Sequence, residues 1–120
     1  MANPFVHVEL NSTDLAKSKD FYSKLFDWTL QDMPMGDLDY TMIGVGNGTG
    51  GGMMKQLMPN TPSFWMAYVG VDDIQASTKK AKELGAKVMK DVTEVPGTGW
   101  LSIIVDPTGA VLGLWKPMAR

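Results

Sequence analysis

Apolar and polar residues alternate in short runs along the chain, and glycine, proline or aspartate separates one run from the next. Alternation over residues 5–10 is typical of a half-buried strand. Thr13-Asp14 follows as a candidate N-cap, because the side-chain oxygens of these residues can accept hydrogen bonds from the unpaired N–H groups of a first helical turn. The residues after this N-cap include an apolar stripe with helical spacing: Leu15, Ser18, Tyr22, Leu25 and Phe26. The pattern predicts a strand and then an amphipathic helix.

The remaining runs predict a further helix and seven more strands. In the first half, β-like runs cover 28–33, 39–45 and 52–57. The second half has a strand at 64–71 and a helix between Asp73 and Gly85, with its stripe at Ile74, Ser77, Ala81 and Leu84. Three final strands are predicted at 86–92, 100–105 and 110–115, and the last turn is Asp106-Pro107-Thr108-Gly109.

The two halves of the chain repeat one plan. At an offset of 59 residues, Asp14 aligns with Asp73, and Gly50 aligns with Gly109. A βαβββ unit leaves one sheet face uncovered, so two such units are expected to pack together. We therefore predict an α+β fold with eight strands around a pocket and the helices outside. Its expected parts are module one at 1–58, a linker at 59–62 and module two at 63–120.

Composition narrows the possible functions. The 120 residues are enough for one domain, and they include no cysteine, which excludes disulfides, thiolate zinc sites and cysteine nucleophiles. The net charge is −2, and the one dense basic run, Lys79, Lys80 and Lys82, is interpreted as a solvated helix face. We expect no nucleic-acid partner, no membrane span and no signal peptide, and thus a cytoplasmic protein.

Several motifs together resemble one family, that of the glyoxalase/bleomycin resistance protein/dioxygenase (vicinal oxygen chelate) domains. The motifs are Phe5-Val6-His7-Val8-Glu9-Leu10, residues 14–22 and 25–28, Val71-Asp72-Asp73-Ile74, Leu84-Gly85-Ala86 and Asp106-Pro107-Thr108-Gly109. The resemblance covers essentially the whole chain and is nearest to the branch related to lactoylglutathione lyase. It implies the fold predicted above and leaves the activity open, because this superfamily holds isomerases, dioxygenases, thiol transferases and drug-sequestering proteins.

The resemblance also implies where a metal ion would bind. Four strand positions hold one divalent ion in the metal-dependent members, and here they match His7, Met54, Met66 and Gly113. Only His7 is a usual ligand for such an ion, since thioethers suit soft metals and glycine has no side chain. Asn11 stands where glutathione-dependent members carry an arginine. We therefore expect no cofactor and no lactoylglutathione chemistry, with a divalent ion held by His7 and Glu9 as the alternative.

His7 is the only histidine in the chain, and it has two interpretations. It could be a pocket-floor residue that is hydrogen-bonded to Glu9 or to a backbone carbonyl. It could instead be a general acid or base that Glu9 orients, because imidazole titrates near neutral pH and both residues lie on one strand face. His7 and Glu9 are thus the candidate catalytic residues.

Ten methionines and four tryptophans are many for this length, and they fit either ordinary core filling or an adaptable apolar pocket. The candidate ligand-binding residues are His7, Glu9, Tyr40, Met54, Met66, Tyr68, Trp100 and Gly113. Gly113 is expected to leave space for an apolar group of the ligand. The segment 46–51 matches a G-x-G-x-x-G pattern, but no helix is predicted after it, so we interpret it as a hairpin turn.

The leading hypothesis is a small-molecule-binding protein without the usual metal site. One alternative is a metal- or His7-dependent lyase, isomerase or dioxygenase that acts on a small oxygenated substrate. Another is an antibiotic-sequestering protein of the bleomycin-resistance type, in which Glu9, Asp37 and Asp39 would hold a cationic drug. A homodimer is expected, with Trp65 and Trp115 as candidates for the contact.

Overall fold

The computed structural model describes residues 3–35, 38–56 and 60–118. Its elements confirm the predicted α+β class, because the order βαβββ occurs twice. The elements are β1 (Phe5–Ser12), α1 (Leu15–Leu25), β2 (Thr29–Met35), β3 (Leu38–Gly44), β4 (Gly51–Lys55), β5 (Phe64–Gly70), α2 (Ile74–Glu83), β6 (Lys87–Val95), β7 (Gly99–Val105) and β8 (Val111–Pro117). Neither helix within these ranges is long and apolar enough to cross a membrane.

The chain divides into two compact units, which we call the first unit (residues 7–66) and the second unit (residues 67–120 with the N-terminal segment up to Val6). In the first unit the strands lie in the order β2-β3-β4-β1, and β1 is parallel to β4 while the other pairs are antiparallel. The second unit has the order β5-β8-β7-β6 and the same directions, with β5, of which residues 67–70 belong to this unit, parallel to β8.

Both predicted N-caps are confirmed, and in the Thr13-Asp14 pair it is Asp14 that caps α1. The Asp14 side chain accepts a hydrogen bond from the backbone N–H of Lys17 at 3.1 Å, and that of Asp73 accepts one from Ala76 at 3.0 Å. Each cap residue has an extended backbone, as the residue before a first helical turn normally has. The aspartates at the two equivalent positions thus begin the two helices.

Two predicted turns are confirmed by their backbone angles. Gly85 ends α2 with φ 106°, and Gly109 closes the last turn with φ 98°, a region that side-chain-bearing residues seldom adopt. In that last turn, the hydroxyl of Thr108 and the backbone N–H groups of Thr108 and Ala110 donate to Asp106. These donors, the Thr108 hydroxyl foremost, lower the pKa of Asp106.

The core of the first unit lies between α1 and one face of its strands. Leu10, Ile43 and Met53 are buried there, and a ring of partly buried residues packs against them: Leu15, Tyr22, Trp28, Leu30 and Val45. Because side chains alternate along a strand, Leu10 on this face places its neighbours Glu9 and Asn11 on the opposite face. The first unit therefore has an apolar face under α1 and a second face that carries polar residues.

The predicted helix stripes are wrong at their C-terminal ends. Leu25 and Leu84 are 55% and 70% exposed, because they lie at the C-terminal ends of the two helices, beyond the turns that pack against the strands. In α2, Ile74 and Thr78 are the buried pair, four residues apart. The Thr78 hydroxyl contacts that of Ser102 at 2.8 Å and donates to the Ile74 carbonyl, so a polar residue occupies this core position without an unmet hydrogen bond.

Candidate functional site

A polar network lies on the face of the first unit that is turned away from the core. Glu9 and Asn11 of β1 are buried there, with 7% and 6% of their surfaces exposed, and His7 is half-buried. These three residues share one face because they stand at alternate positions of the strand. Tyr40 of β3 is buried as well. The four polar side chains thus come from β1 and β3, and β4 lies between these two strands.

Hydrogen bonds link the four side chains, which we call the polar network (His7, Glu9, Asn11 and Tyr40). The Nε2 atom of His7 lies 2.7 Å from the Tyr40 hydroxyl, and that hydroxyl donates to Oε2 of Glu9 at 3.0 Å. Asn11 donates from Nδ2 to Oε1 of Glu9 at 3.4 Å. Glu9 therefore acts on His7 through Tyr40, which adds a third residue to the predicted histidine–carboxylate pair.

Gly52 makes this arrangement possible. It lies in β4 opposite Glu9 of β1, and a Cβ atom at this position would overlap the hydroxyl and ring of Tyr40. The absence of a side chain lets the phenol cross β4 and reach β1. This role of Gly52 was not predicted from the sequence, although a glycine inside a strand often marks the close approach of another group.

Burial sets the charge state of His7. Loss of contact with water disfavours the imidazolium form and lowers the pKa of His7 below its ordinary value of 6.5. The ring is therefore neutral at physiological pH, and a neutral imidazole can donate a hydrogen bond from one nitrogen and accept one at the other.

The other predicted pocket residues divide between the two units. Met54 and Met66 are buried in the first unit, and Met54 lies opposite both Asn11 and Tyr40 in strand register. Trp100 belongs to the second unit, where the Lys116 ammonium lies 5.2 Å from the centre of its ring.

The predicted space at Gly113 is not open. Tyr68 lies opposite Gly113 in the pairing of β5 with β8, and its ring lies where a Cβ atom of residue 113 would be. The glycine therefore accommodates a side chain of its own unit. This corrects the expectation that an apolar group of the ligand would dock against Gly113.

The donor atoms do not fit a divalent metal ion. Within residues 3–35, 38–56 and 60–118, no three histidine, aspartate or glutamate side chains are grouped as metal ligands would be. Of the four family positions, His7 offers a nitrogen, Met54 and Met66 offer thioethers, and Gly113 lies under a tyrosine ring. Hard and borderline cations select oxygen and imidazole ligands over thioethers. We therefore derive no chemistry from a metal at these positions.

A second candidate site is an apolar hollow of about 270 Å³ on the core face of the first unit. Its lining consists of Val8, Trp28, Ile43, Val45, Thr49, Gly50, Gly51 and Trp65. The rings of Trp28 and Trp65 are 6.1 Å apart in an edge-to-face arrangement, and Trp65 donates to the Tyr22 hydroxyl at 3.3 Å. Trp65 is 39% exposed. Its predicted role in a homodimer, with Trp115, stays a prediction.

Of the three acidic residues that were predicted to bind a cationic antibiotic, the structure describes the side chain of Glu9. Both carboxylate oxygens of Glu9 already accept hydrogen bonds. Asp37 and the side chain of Asp39 lie outside the described residues.

Comparison with known proteins identifies the family. Residues 5–114 match the model of the Glyoxalase/Bleomycin resistance protein/Dioxygenase superfamily. The chain belongs to this superfamily. A Mycobacterium bovis relative named "Putative glyoxylase CFP32" is 35% identical over 115 residues, which are 91% of this chain and 44% of that protein. The anthracycline biosynthesis protein DnrV of Streptomyces peucetius is 27% identical over 125 residues, with 90% of this chain and 45% of that protein covered.

Two solved structures of low sequence identity have the same fold. Methylmalonyl-CoA epimerase from Mycobacterium tuberculosis aligns with a TM-score of 0.72 at 15% identity. The alignment covers 96% of this chain and 88% of the epimerase chain. Hypothetical protein BH1468 from Bacillus halodurans aligns with a TM-score of 0.73 at 14% identity. That alignment covers 100% of this chain and 98% of the BH1468 chain. The chain spans less than half the length of the curated relatives given above.

Proposed function

We propose that this glyoxalase-like chain binds a small, largely apolar molecule that carries a hydrogen-bonding oxygen, and that it does so at the polar network without a divalent ion. The observation that carries the proposal is the buried chain of hydrogen bonds from His7 through Tyr40 to Glu9. The half-buried imidazole of His7 supplies the hydrogen bond to the oxygen of the ligand. The thioether of Met54, which lies next to Tyr40 and Asn11 in register, supplies adaptable apolar surface.

The energetic cost of the network supports a functional role. A carboxylate and an amide buried almost completely lose most of their contact with water, and their hydrogen bonds offset that loss only in part. Well-packed apolar residues at the same positions would commonly give equal or greater stability. The presence of four hydrogen-bonded polar groups on one face is therefore better explained by ligand binding than by folding.

A thermal-shift screen followed by isothermal titration tests the proposal. The panel contains small hydroxy carbonyl compounds, polycyclic phenols and short acyl-CoA esters, because relatives or structural neighbours are named for anthracycline biosynthesis and for methylmalonyl-CoA. For a ligand that binds, Tyr40→Phe should weaken binding about fivefold, the equivalent of about 1 kcal/mol for one hydrogen bond. Tyr22→Phe is the matched control, since it removes a hydroxyl from the opposite face of the first unit. Equal affinities of the two variants would place the ligand elsewhere.

A second candidate is an enzyme that transfers a proton, as in an isomerase or lyase. The observation that favours it is the lowered pKa of His7 together with a carboxylate that acts through Tyr40, since a neutral imidazole can take a proton from a substrate carbon. Exchange of a ligand's α-hydrogen in heavy water, followed by proton NMR, separates the candidates. An enzyme gives exchange that His7→Gln abolishes, whereas a binding protein gives exchange at the buffer rate.

A further inference from the structure

The face of the first unit that carries the polar network also carries three methionines. Met33 of β2 and Met54 of β4 both lie opposite Tyr40 of β3 in strand register, so their side chains share the face of its phenol. Met42 stands two residues after Tyr40 on β3, and side-chain alternation puts it on the same face. Methionines therefore surround Tyr40 on its own strand and on both neighbouring strands.

Burial divides these three methionines. Met54 is buried, as is Tyr40, whereas Met33 and Met42 are 40% and 39% exposed. The exposed pair lies directly beside the buried pair in strand register. An apolar surface thus continues from the polar network outwards to Met33 and Met42, where a bound molecule can still remove it from water.

We infer that Met33 and Met42 form a subsite, the methionine pair, which binds a flat aromatic ring system while the polar network binds the oxygen of the same ligand. The inference rests on the proposed function and narrows its ligand class to phenols of more than one ring. Met33 and Met42 are diagonal neighbours across β2 and β3, which places their backbones about 7–8 Å apart. Two fused aromatic rings span that separation.

The chemistry of the thioether favours an aromatic ring over a saturated chain. The polarizable sulfur of methionine makes favourable contacts with aromatic rings, and methionine is over-represented at binding surfaces that adapt to their ligands. A methionine side chain also loses more rotamer freedom than leucine when a ligand orders it. For a saturated ligand leucine would therefore serve better at both positions, because the sulfur would gain nothing.

The area of the methionine pair suits a small molecule and not a second protein chain. Each partner of a stable protein complex commonly buries roughly 800 Å², and two partly exposed methionines provide only a small part of that. Phe21, an exposed residue that could enlarge an apolar interface, belongs to α1, which packs on the opposite face of the first unit.

Methyl NMR on protein with carbon-13 in its methionine methyl groups tests the inference. The ten methionines give ten methyl signals, and Met33→Leu and Met42→Leu assign the two that matter. The probe is naphthol, which carries a hydroxyl on two fused aromatic rings. We expect its ring current to shift the signals of Met33 and Met42, while that of Met89, which is 45% exposed on β6, stays in place. Unmoved Met33 and Met42 signals at saturation, or no saturable binding of naphthol, would overturn the inference.

A pair of probes and a double variant test the preference for aromatic rings. Met33→Leu combined with Met42→Leu removes both sulfurs and keeps the apolar volume, so it should weaken naphthol binding about threefold to tenfold. Binding of decalol, the saturated counterpart of naphthol, should stay within about twofold, and Met89→Leu should change neither affinity. Equal weakening for both probes would overturn the aromatic preference.

Failure of the proposed function is a separate result of the same titration. Methionine signals that shift while the ring-nitrogen signals of His7 stay in place would contradict binding at the polar network and leave the methionine pair as a site. His7 signals that shift while those of Met33 and Met42 stay in place would overturn the methionine pair and leave the proposed function intact.

Discussion

The hydroxyl of Tyr40 lies in the space that a side chain at position 52 would fill, and Gly52 is therefore part of the site although it makes no polar contact. Through this opening Tyr40 of β3 reaches past β4 to Glu9 and His7 of β1. The arrangement makes the polar network sensitive to a single methyl group on a neighbouring strand.

Gly52→Ala should destabilise the protein by about 1–3 kcal/mol, because the new methyl group overlaps the Tyr40 ring and the ring must move. Gly44→Ala is the matched control on β3, since a Cβ there would meet Thr29 at an ordinary 3.6 Å. Urea unfolding of both variants measures the difference in free energy. Equal stability of the two variants would contradict the described position of Tyr40.

The stability of the wild type should fall with decreasing pH more steeply than that of His7→Gln. Burial lowers the pKa of His7 in the folded state below the ordinary 6.5 that it has in the unfolded chain. Below about pH 6.5 the unfolded chain takes up this proton first, so the free energy of unfolding decreases until the pH reaches the folded-state pKa. Above that window both states are neutral and His7 contributes no pH dependence. Parallel curves for the two proteins would show that His7 is not shielded from water.

Asp73→Ala should destabilise the protein by about 0.5–2 kcal/mol, because the first turn of α2 loses the carboxylate that caps it. Asp72→Ala provides the control, since Asp72 is an exposed aspartate next to the cap. Thermal unfolding of the pair measures the effect. A larger loss in Asp72→Ala than in Asp73→Ala would mean that the cap has been assigned to the wrong residue.

Purified protein should not retain a divalent transition metal at one ion per chain, because thioethers occupy two of the family's ligand positions and Gly113 has no donor. Elemental analysis after exposure to zinc, nickel, manganese and iron salts measures the content. One ion per chain that is lost in His7→Ala would contradict this prediction.

Much of the fold could be predicted from the sequence, because local signals determine it. Asp14 and Asp73 precede apolar stripes, and Gly85 and Gly109 stand where positive φ is required, so caps and turns followed from single residues. The apolar stripes of the two helices were a less reliable guide to which residues are buried. Leu84 fits the helical period but lies beyond the last turn of α2 and is exposed, since periodicity does not say where a helix leaves the sheet.

The site was predictable only where it follows strand alternation. Side-chain alternation along β1 predicted that His7 and Glu9 lie on one face. The contacts of these residues with neighbouring strands depend on packing and are known only from the structure. The bridging position of Tyr40 requires the register of β3 against β4 and the missing side chain of Gly52, and neither is visible along one chain. For the same reason Gly113 was misinterpreted, because the ring of Tyr68 reaches it only through the pairing of β5 with β8.

The central claim is that a ligand binds at the polar network and not in the hollow between Trp28 and Trp65. One NMR titration tests it, with the His7 ring nitrogens and the tryptophan indole N–H groups observed together and the Trp28 signal assigned by Trp28→Phe. For the tightest ligand of the panel, we predict that the His7 signals shift in proportion to occupancy while those of Trp28 and Trp65 stay in place. Indole signals that shift with an unchanged His7 would contradict the claim and assign binding to the hollow.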